Sequence, residues 1–203
     1  VVVLMIINKN DYKYYLERDK IALGITRKKP KIFGDDIWKF ERQLRKTEYY
    51  HNCSKTIFGK IIYAYNMFRY HKMRVKLGIS IPLNVFDYGL AIVHFGSIVV
   101  NNNARVGKNC RIQDSTTIGA TNGELNAALI GDNVFIGSGA RIIGNIYIAD
   151  DIAIGANAVV VHNFNEKGIT IGGVPAKKIS DNNSHSNLSP AIFKKRIGHD
   201  EIE

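Results

Sequence analysis

Between Ile130 and Val160 an aliphatic residue recurs at every sixth position: Ile130, Ile136, Ile142, Ile148, Ile154 and Val160. The residue after each is small in most steps (Gly131, Gly137, Ala149, Gly155). The residue four after is small or apolar throughout: Val134, Ala140, Ile146, Ile152, Ala158. Strands repeat every two residues and helices about every 3.6, and neither yields a strict six. A fixed short period marks a solenoid whose repeats stack on one another. Each step reads as one short strand plus a turn, and three steps close a triangular coil of about 18 residues. In that register Ile112 lies over His94, Ile130 over Ile112 and Ile148 over Ile130.

The ladder runs upstream through Val100, Val106, Ile112 and Ile118. Between Ile118 and Ile130 the text ATNGELNAAL fits no step, and Asn122, Gly123 and Asn126 mark a loop pushed out of one coil. The solenoid is expected over about residues 81–176. A β-sandwich with evenly spaced strands is the competing fold, and ten ladder positions in phase oppose it. Period alone does not give the hand of the coil; crossovers are normally right-handed.

Residues 8–78 differ in kind. Asn10 or Asp11 is expected to cap a helix through Leu23, with Tyr12, Tyr15 and Leu16 on one face and Gly24 as its stop. A basic loop with Pro30 follows. Asp35 is expected to cap a second helix carrying Ile37, Phe40 and Leu44. Ser54 starts a third, which ends at Gly78; its row Phe58, Ile61, Ile62, Tyr65 and Phe68 reads as the core of a helical bundle. The organisation is thus a helical part at 1–80, the solenoid at 81–180 and a polar, mobile tail at 181–203, in which Ser189-Pro190 to Gly198 has the pattern of a short helix.

The charge is lopsided. Residues 1–80 hold 18 Lys/Arg against 7 Asp/Glu, whereas residues 81–203 hold 10 against 11. Two readings of the basic helices stand: peripheral contact with an anionic membrane at its inner face or with a phosphate-bearing substrate, or a merely solvated surface. No motif supports nucleic-acid binding. The two cysteines, Cys53 and Cys110, form no disulfide framework or CxxC pair, which fits a reducing, cytoplasmic compartment. Cys110 lies four after Val106, in the inward column. Only His94 and His162 fall in the solenoid, too few for a three-histidine zinc site, so no metal is expected. The apolar run Val1–Ile7 is too short to span a membrane and has no preceding basic residue to make a secretory signal. Met5 is a candidate natural start.

The stretches GLAIVHFGSIVVN (89–101), TTIGAT (116–121), IGDNVFIGSGARIIGNI (130–146), IGANAVV (154–160) and IGGVPAKKIS (171–180) carry a resemblance. Over roughly half of its length the chain resembles the hexapeptide-repeat acyltransferases, most closely the serine acetyltransferase branch and its relatives in surface-polysaccharide synthesis. The resemblance implies an α+β chain: an N-terminal helical bundle followed by a left-handed parallel β-helix. It also implies a homotrimer with acetyl-CoA as co-substrate.

The family's catalytic histidine falls on His94. That residue stands six before Val100, where the ladder wants an aliphatic side chain, and a broken pattern tends to mark function. Transfer from a thioester to a hydroxyl needs a base for the hydroxyl proton, and an imidazole suits that task near neutrality. Asp114 or Asp87 is expected to orient it. By resemblance the CoA groove is lined by Gly119, Ala120, Gly137, Ser138, Gly139 and Ala156, with the turn at Gly172 and Gly173, and Lys177 and Lys178 meet the CoA phosphates. Small residues equally suit tight solenoid corners.

Three departures bear on the acceptor. Serine acetyltransferases carry Asp before the histidine, where this chain has Val93; Arg-His-Pro in the extended loop, where it has Asn126-Ala127-Ala128; and an earlier Asp, where it has Ile79. Losing those charges removes partners for a zwitterion. The expected activity is therefore O-acetylation of a saccharide or surface-polysaccharide precursor, with Asp87, Tyr88, Asn122 and Asn126 as acceptor-binding residues. Serine O-acetylation, sugar N-acylation and a non-catalytic scaffold are the alternatives.

Overall fold

A computed structural model describes residues 4–121 and 125–194. Three helices, α1 (Lys9–Ala22), α2 (Asp36–Cys53) and α3 (Ile57–Leu77), precede a parallel β-helix with three faces. The first face stacks Ile79–Ser80, Ile98–Val100, Thr117–Gly119, Arg141–Ile143 and Val159–Val160. The second stacks Arg105–Val106, Leu129–Ile130 and Tyr147–Ile148. The third runs from Ala91–Ile92 through Arg111–Ile112, Phe135–Ile136 and Ala153–Ile154 to Thr170–Gly172, and is closed by the antiparallel Lys177–Ser180.

The ladder residues Ile112, Ile118, Ile130, Ile136, Ile142, Ile148, Ile154 and Val160 are fully buried, as are Val134, Ala140, Ile152 and Ala158 four places on. Burial pushes the Cys110 thiol up, as its inward place requires. The residue three after a ladder position adopts the left-handed conformation at two of the three corners: Asn109, Ser115, Asn133, Gly139, Asp151 and Asn157. Asn, Asp and Gly tolerate that region best, which explains their recurrence at the corners.

The stacking corrects the 18-residue register. Ile136 pairs with Ile154 at that spacing, but Ile112 pairs with Ile92 and not His94, and Ile130 pairs with Val106 and not Ile112. The chain between Ile118 and Ile130 makes one normal step plus six extra residues, and this excess spaces Val106 from Ile130 and Ile112 from Ile136. The first coil is longer too, because two extra residues separate Ile92 from Val100. The ladder position is therefore Ile92, fully buried, and the pattern is unbroken there.

The helices cap the open end of the β-helix. Its first coil would present unpaired backbone groups, a cost every solenoid end must meet. Here carboxyl and guanidinium side chains replace the missing strand. Asp19 accepts from the amides of Gly89 (2.8 Å) and Leu90 (3.0 Å), Glu41 from Ile92 (2.8 Å), and Glu48 from Asn84 (2.8 Å). Arg45, fully buried, donates to the carbonyls of Phe86 (2.9 Å) and Asp87 (2.7 Å) and pairs with Asp19 and Glu48. Phe40, Leu44 and Tyr70 join the solenoid's apolar core.

Several helix expectations shift. Asn8, not Asn10 or Asp11, caps α1 through the amides of Asn10 and Asp11, and Thr56, not Ser54, caps α3. Asp35 stands at the N-cap of α2 without capping it; its carboxylate holds the Lys31 amide (2.7 Å) and Arg27 (2.5 Å). The α3 row is not a bundle core: Phe58, Ile61, Tyr65 and Phe68 are 56–72% exposed, while Asn66, Tyr70 and Leu77 are buried. The segment after Asp181 lies against the protein, with Ser184 and Leu188 buried and a short 3-10 turn at Pro190–Ile192. The rest of the expected helix to Gly198 lies outside the described residues.

Candidate active site

The expected site residues fall on three different corners of the triangle. His94, Asp114, Gly137, Ser138, Gly139, Ala156, Gly172 and Gly173 occupy successive levels of one corner, between the third face and the first. Gly119, Ala120 and Asn126 lie at the corner between the first face and the second. Asp87 and Tyr88 lie at the remaining corner. Asn122 is outside the described residues.

His94 is exposed and sits in the lengthened turn after Ile92. Glu41 holds that turn at the Ile92 amide, and Leu77 and Gly78 at the end of α3 accept from the amides of Gly96 (3.1 Å) and Ile98 (3.1 Å). The loop is thus held from both α2 and α3. One coil below, Asp114 lies against Gly96: a Cβ built there would meet the Asp114 Cβ at 3.2 Å. Asp114 Oδ1 accepts from Ser138 Oγ (2.9 Å) and Oδ2 from Ser115 Oγ (3.1 Å). The Ser138 bond, with the Ser115 bond and the charge of His94 adding, holds the Asp114 carboxyl below the usual carboxylate range. A settled carboxylate thus stands within electrostatic reach of an accessible imidazole.

Asp87 cannot take that part. It is buried, with Oδ1 accepting from Tyr15 Oη (2.9 Å) and the Tyr88 amide (2.7 Å), and Oδ2 from the Leu4 amide (3.3 Å). Tyr88 packs against the rings of Tyr14 and Tyr15 beside Arg18, and burial pushes its hydroxyl up to about 12. Both belong to the joint between cap and solenoid, at a different corner from His94. Asn126 is exposed, but its neighbours Ala127 and Ala128 are buried in the core.

The glycines of the corner have structural causes. A Cβ at Gly137 would lie 2.7 Å from the Ala156 amide nitrogen, and Gly139 takes φ +76° with Asn157 Oδ1 2.0 Å from its Cβ position. Their smallness is set by the next coil, so it says nothing about a ligand. Of the two lysines, Lys178 pairs with Glu166 and Asp181, both at 2.6 Å; among the described residues Lys177 makes no ion pair.

His94 also borders a cleft of about 360 Å³ between the solenoid corner and the cap. Asp35, Asp36, Trp38, Val93 and Phe95 line it with His94. Asp36 has no partner among the described residues, and Phe95 is 70% exposed. Sequence reading missed these cap residues because no motif ties them to the histidine. The cap's charged cluster did leave a signal: Glu41, Arg45 and Glu48 fall on the same helical row as Ile37, Phe40 and Leu44. Among the described residues no cluster of His, Cys, Asp or Glu could hold a metal ion, and no helix is long and apolar enough to cross a membrane.

No family model matches the chain. In sequence it is similar to serine acetyltransferases: 33% identical over 114 residues to that of Staphylococcus xylosus, covering 52% of each chain. It is 31% identical over 134 residues to that of Buchnera aphidicola, covering 63% of this chain and 51% of the other. The chain spans about half the length of the curated relatives it matches. Among solved structures, Neisseria gonorrhoeae serine acetyltransferase aligns at TM-score 0.65 and 25% identity, over 94% of this chain and 73% of that one. The Brucella abortus enzyme in complex with coenzyme A aligns at TM-score 0.67 and 22% identity, over 86% and 70%, which speaks for the fold alone. Both the expected β-helix with its N-terminal helices and the resemblance to this branch of acetyltransferases therefore stand.

Proposed function

We propose that the chain is an acetyl-CoA-dependent O-acetyltransferase in which His94 is the general base. The observation that carries this is the accessible His94 imidazole one coil above the ionised Asp114, at the mouth of a cleft. The imidazole takes the acceptor's hydroxyl proton as that oxygen attacks the thioester carbonyl. The C–S bond then breaks, and the proton passes to the departing thiolate, leaving an acetate ester and the free thiol. No acyl-enzyme is required: Cys110 is buried with its thiol pushed up, and Cys53 is raised too, the reverse of an activated nucleophile.

L-Serine is the first acceptor to test, because the relatives are serine acetyltransferases. A saccharide hydroxyl is the second, and one observation favours it. Ile79 and Val93 are apolar, Ala127 and Ala128 are buried, and among the described residues no Lys or Arg lines the cleft to meet an amino acid's carboxylate. Phe95 and Asp36 suit a sugar's face and hydroxyls.

The acetyl donor's arm is placed along the corner of Ser138 and Ala156, with Lys177 available to its phosphates. Gly119 and Ala120 stand at the other end of the first face, so a groove using both corners requires two copies of the chain. We accordingly place the site between subunits of a homotrimer. A CoA-release assay with L-serine and a panel of nucleotide sugars and oligosaccharides tests the reading. Turnover of either class supports it. Acetyl-CoA that stays intact with every acceptor, from a folded trimer, overturns it.

A further inference from the structure

The apolar row of α3 that sequence assigns to a core instead faces solvent. Ile61 (60%), Tyr65 (57%) and Phe68 (56%) belong to that row, and Ile57 (81%), Lys72 and Val75 (70%) extend it at helical spacing. An exposed run of this kind is rarely left uncovered. What surrounds it limits what covers it. α3 holds Lys60, Arg69, Lys72, Arg74 and Lys76, and no Asp or Glu occurs anywhere between Glu48 and Asp87. The cations lie over the aromatic rings: Lys72 Nζ is 4.8 Å from the Phe68 centroid and the Arg69 guanidinium 5.9 Å from that of Tyr65.

We infer that this face of α3 docks on an anionic lipid surface. Aromatic and branched side chains along one row, flanked by cations with long apolar stems, match a headgroup layer that is apolar below and negative above. A second copy fits worse. Pairing α3 with α3 about a two-fold axis would oppose five cations to five with no carboxylate to offset them. The solenoid half, with Lys/Arg and Asp/Glu nearly balanced, offers no strongly acidic counter-surface. The inference does not depend on the proposed enzymatic activity.

The test is sedimentation of the full chain with vesicles of phosphatidylglycerol and phosphatidylcholine, and with phosphatidylcholine alone. Binding is expected on the anionic vesicles only, and it should weaken as salt rises. Ile61→Asp combined with Phe68→Asp, and separately Lys72→Glu combined with Lys76→Glu, should each weaken binding by about tenfold or more. All four side chains are exposed, so circular dichroism should show an unchanged fold. Equal binding to both vesicle types, or none to either, overturns the inference. So does an assembly in light scattering that the Asp variants dissolve while vesicle binding stays absent, since a second copy would then cover the face.

Discussion

The solenoid and its helical cap solve one problem, satisfying backbone groups in a dry interior, by opposite means. In the solenoid every parallel strand finds its partner one coil away, and near-identical steps repeat the solution. In the cap there is no next coil, and Asp19, Glu41, Arg45 and Glu48 stand in for one. Repetition spreads stability over many equivalent contacts. Substitution concentrates it in one cluster, where Asp19 and Glu48 flank a single guanidinium. The candidate base sits on the seam: His94 belongs to a solenoid corner, but Glu41 and the end of α3 hold its loop.

If that contrast is right, the cap should break hardest at Arg45. Arg45→Ala would strand Asp19 and Glu48 as buried charges and uncap two carbonyls, a loss of about 3–5 kcal/mol. Urea titration should show it, and a loss below about 1 kcal/mol would mean the cluster is not what joins the two regions. Ile136→Ala, in the middle of the third face, should cost about 2–5 kcal/mol by leaving a cavity that neighbouring coils cannot close.

Glu41 sharpens the comparison through pH. Burial pushes its carboxyl well above the usual range, and Oε2 has no hydrogen-bond partner. With its folded pKa raised, the folded chain holds a proton that the unfolded chain releases above about 4.5. This contribution to stability is complete below that pH and is lost as pH rises through the folded value. Glu41→Gln keeps an acceptor for the Ile92 amide and removes the titration. Thermal melts followed upward from about pH 4.5 should therefore be flatter for the variant than for wild type, and identical slopes would refute the raised Glu41 carboxyl.

The smallest effect is expected in the solenoid corner. Ser138→Ala removes the strongest cause of the lowered Asp114 pKa, so an NMR titration should find that carboxyl moved upward. Asp114 contributes stability present above its unfolded value near 3.8 and lost as pH falls through the folded one. In the variant that contribution should be smaller, and its loss should be complete at a higher pH.

The same contrast explains what could be read in advance. The ladder was legible because each aliphatic residue reports the same environment, and ten positions agree. Ile92 escaped because two inserted residues shift it out of phase, so His94 looked like a ladder position when it is a corner residue. The Asn122–Asn126 stretch showed as an excursion, but its length in excess of one step needs the pairing of Ile118 with Ile142. The cap was poorly legible. Helix reading assigns apolar rows to the inside and charges to the outside, and here both rules fail: Glu41 and Arg45 are buried while Ile61 and Phe68 are exposed. Partnership between a side chain and a distant backbone amide leaves no periodic trace. Asp87 shows this most directly, since nothing near it in sequence announces Tyr15 as its partner.

The central claim is that the exposed imidazole on this seam takes the acceptor's proton. The direct measurement is the rate of CoA release by His94→Ala, with whichever acceptor the wild-type chain turns over. Because His94 is exposed and carries no structural hydrogen bond among the described residues, the variant should melt with the wild-type chain. Its rate should fall by about 10²–10⁴-fold. A variant that folds normally and keeps a rate within a few-fold of wild type would contradict the account.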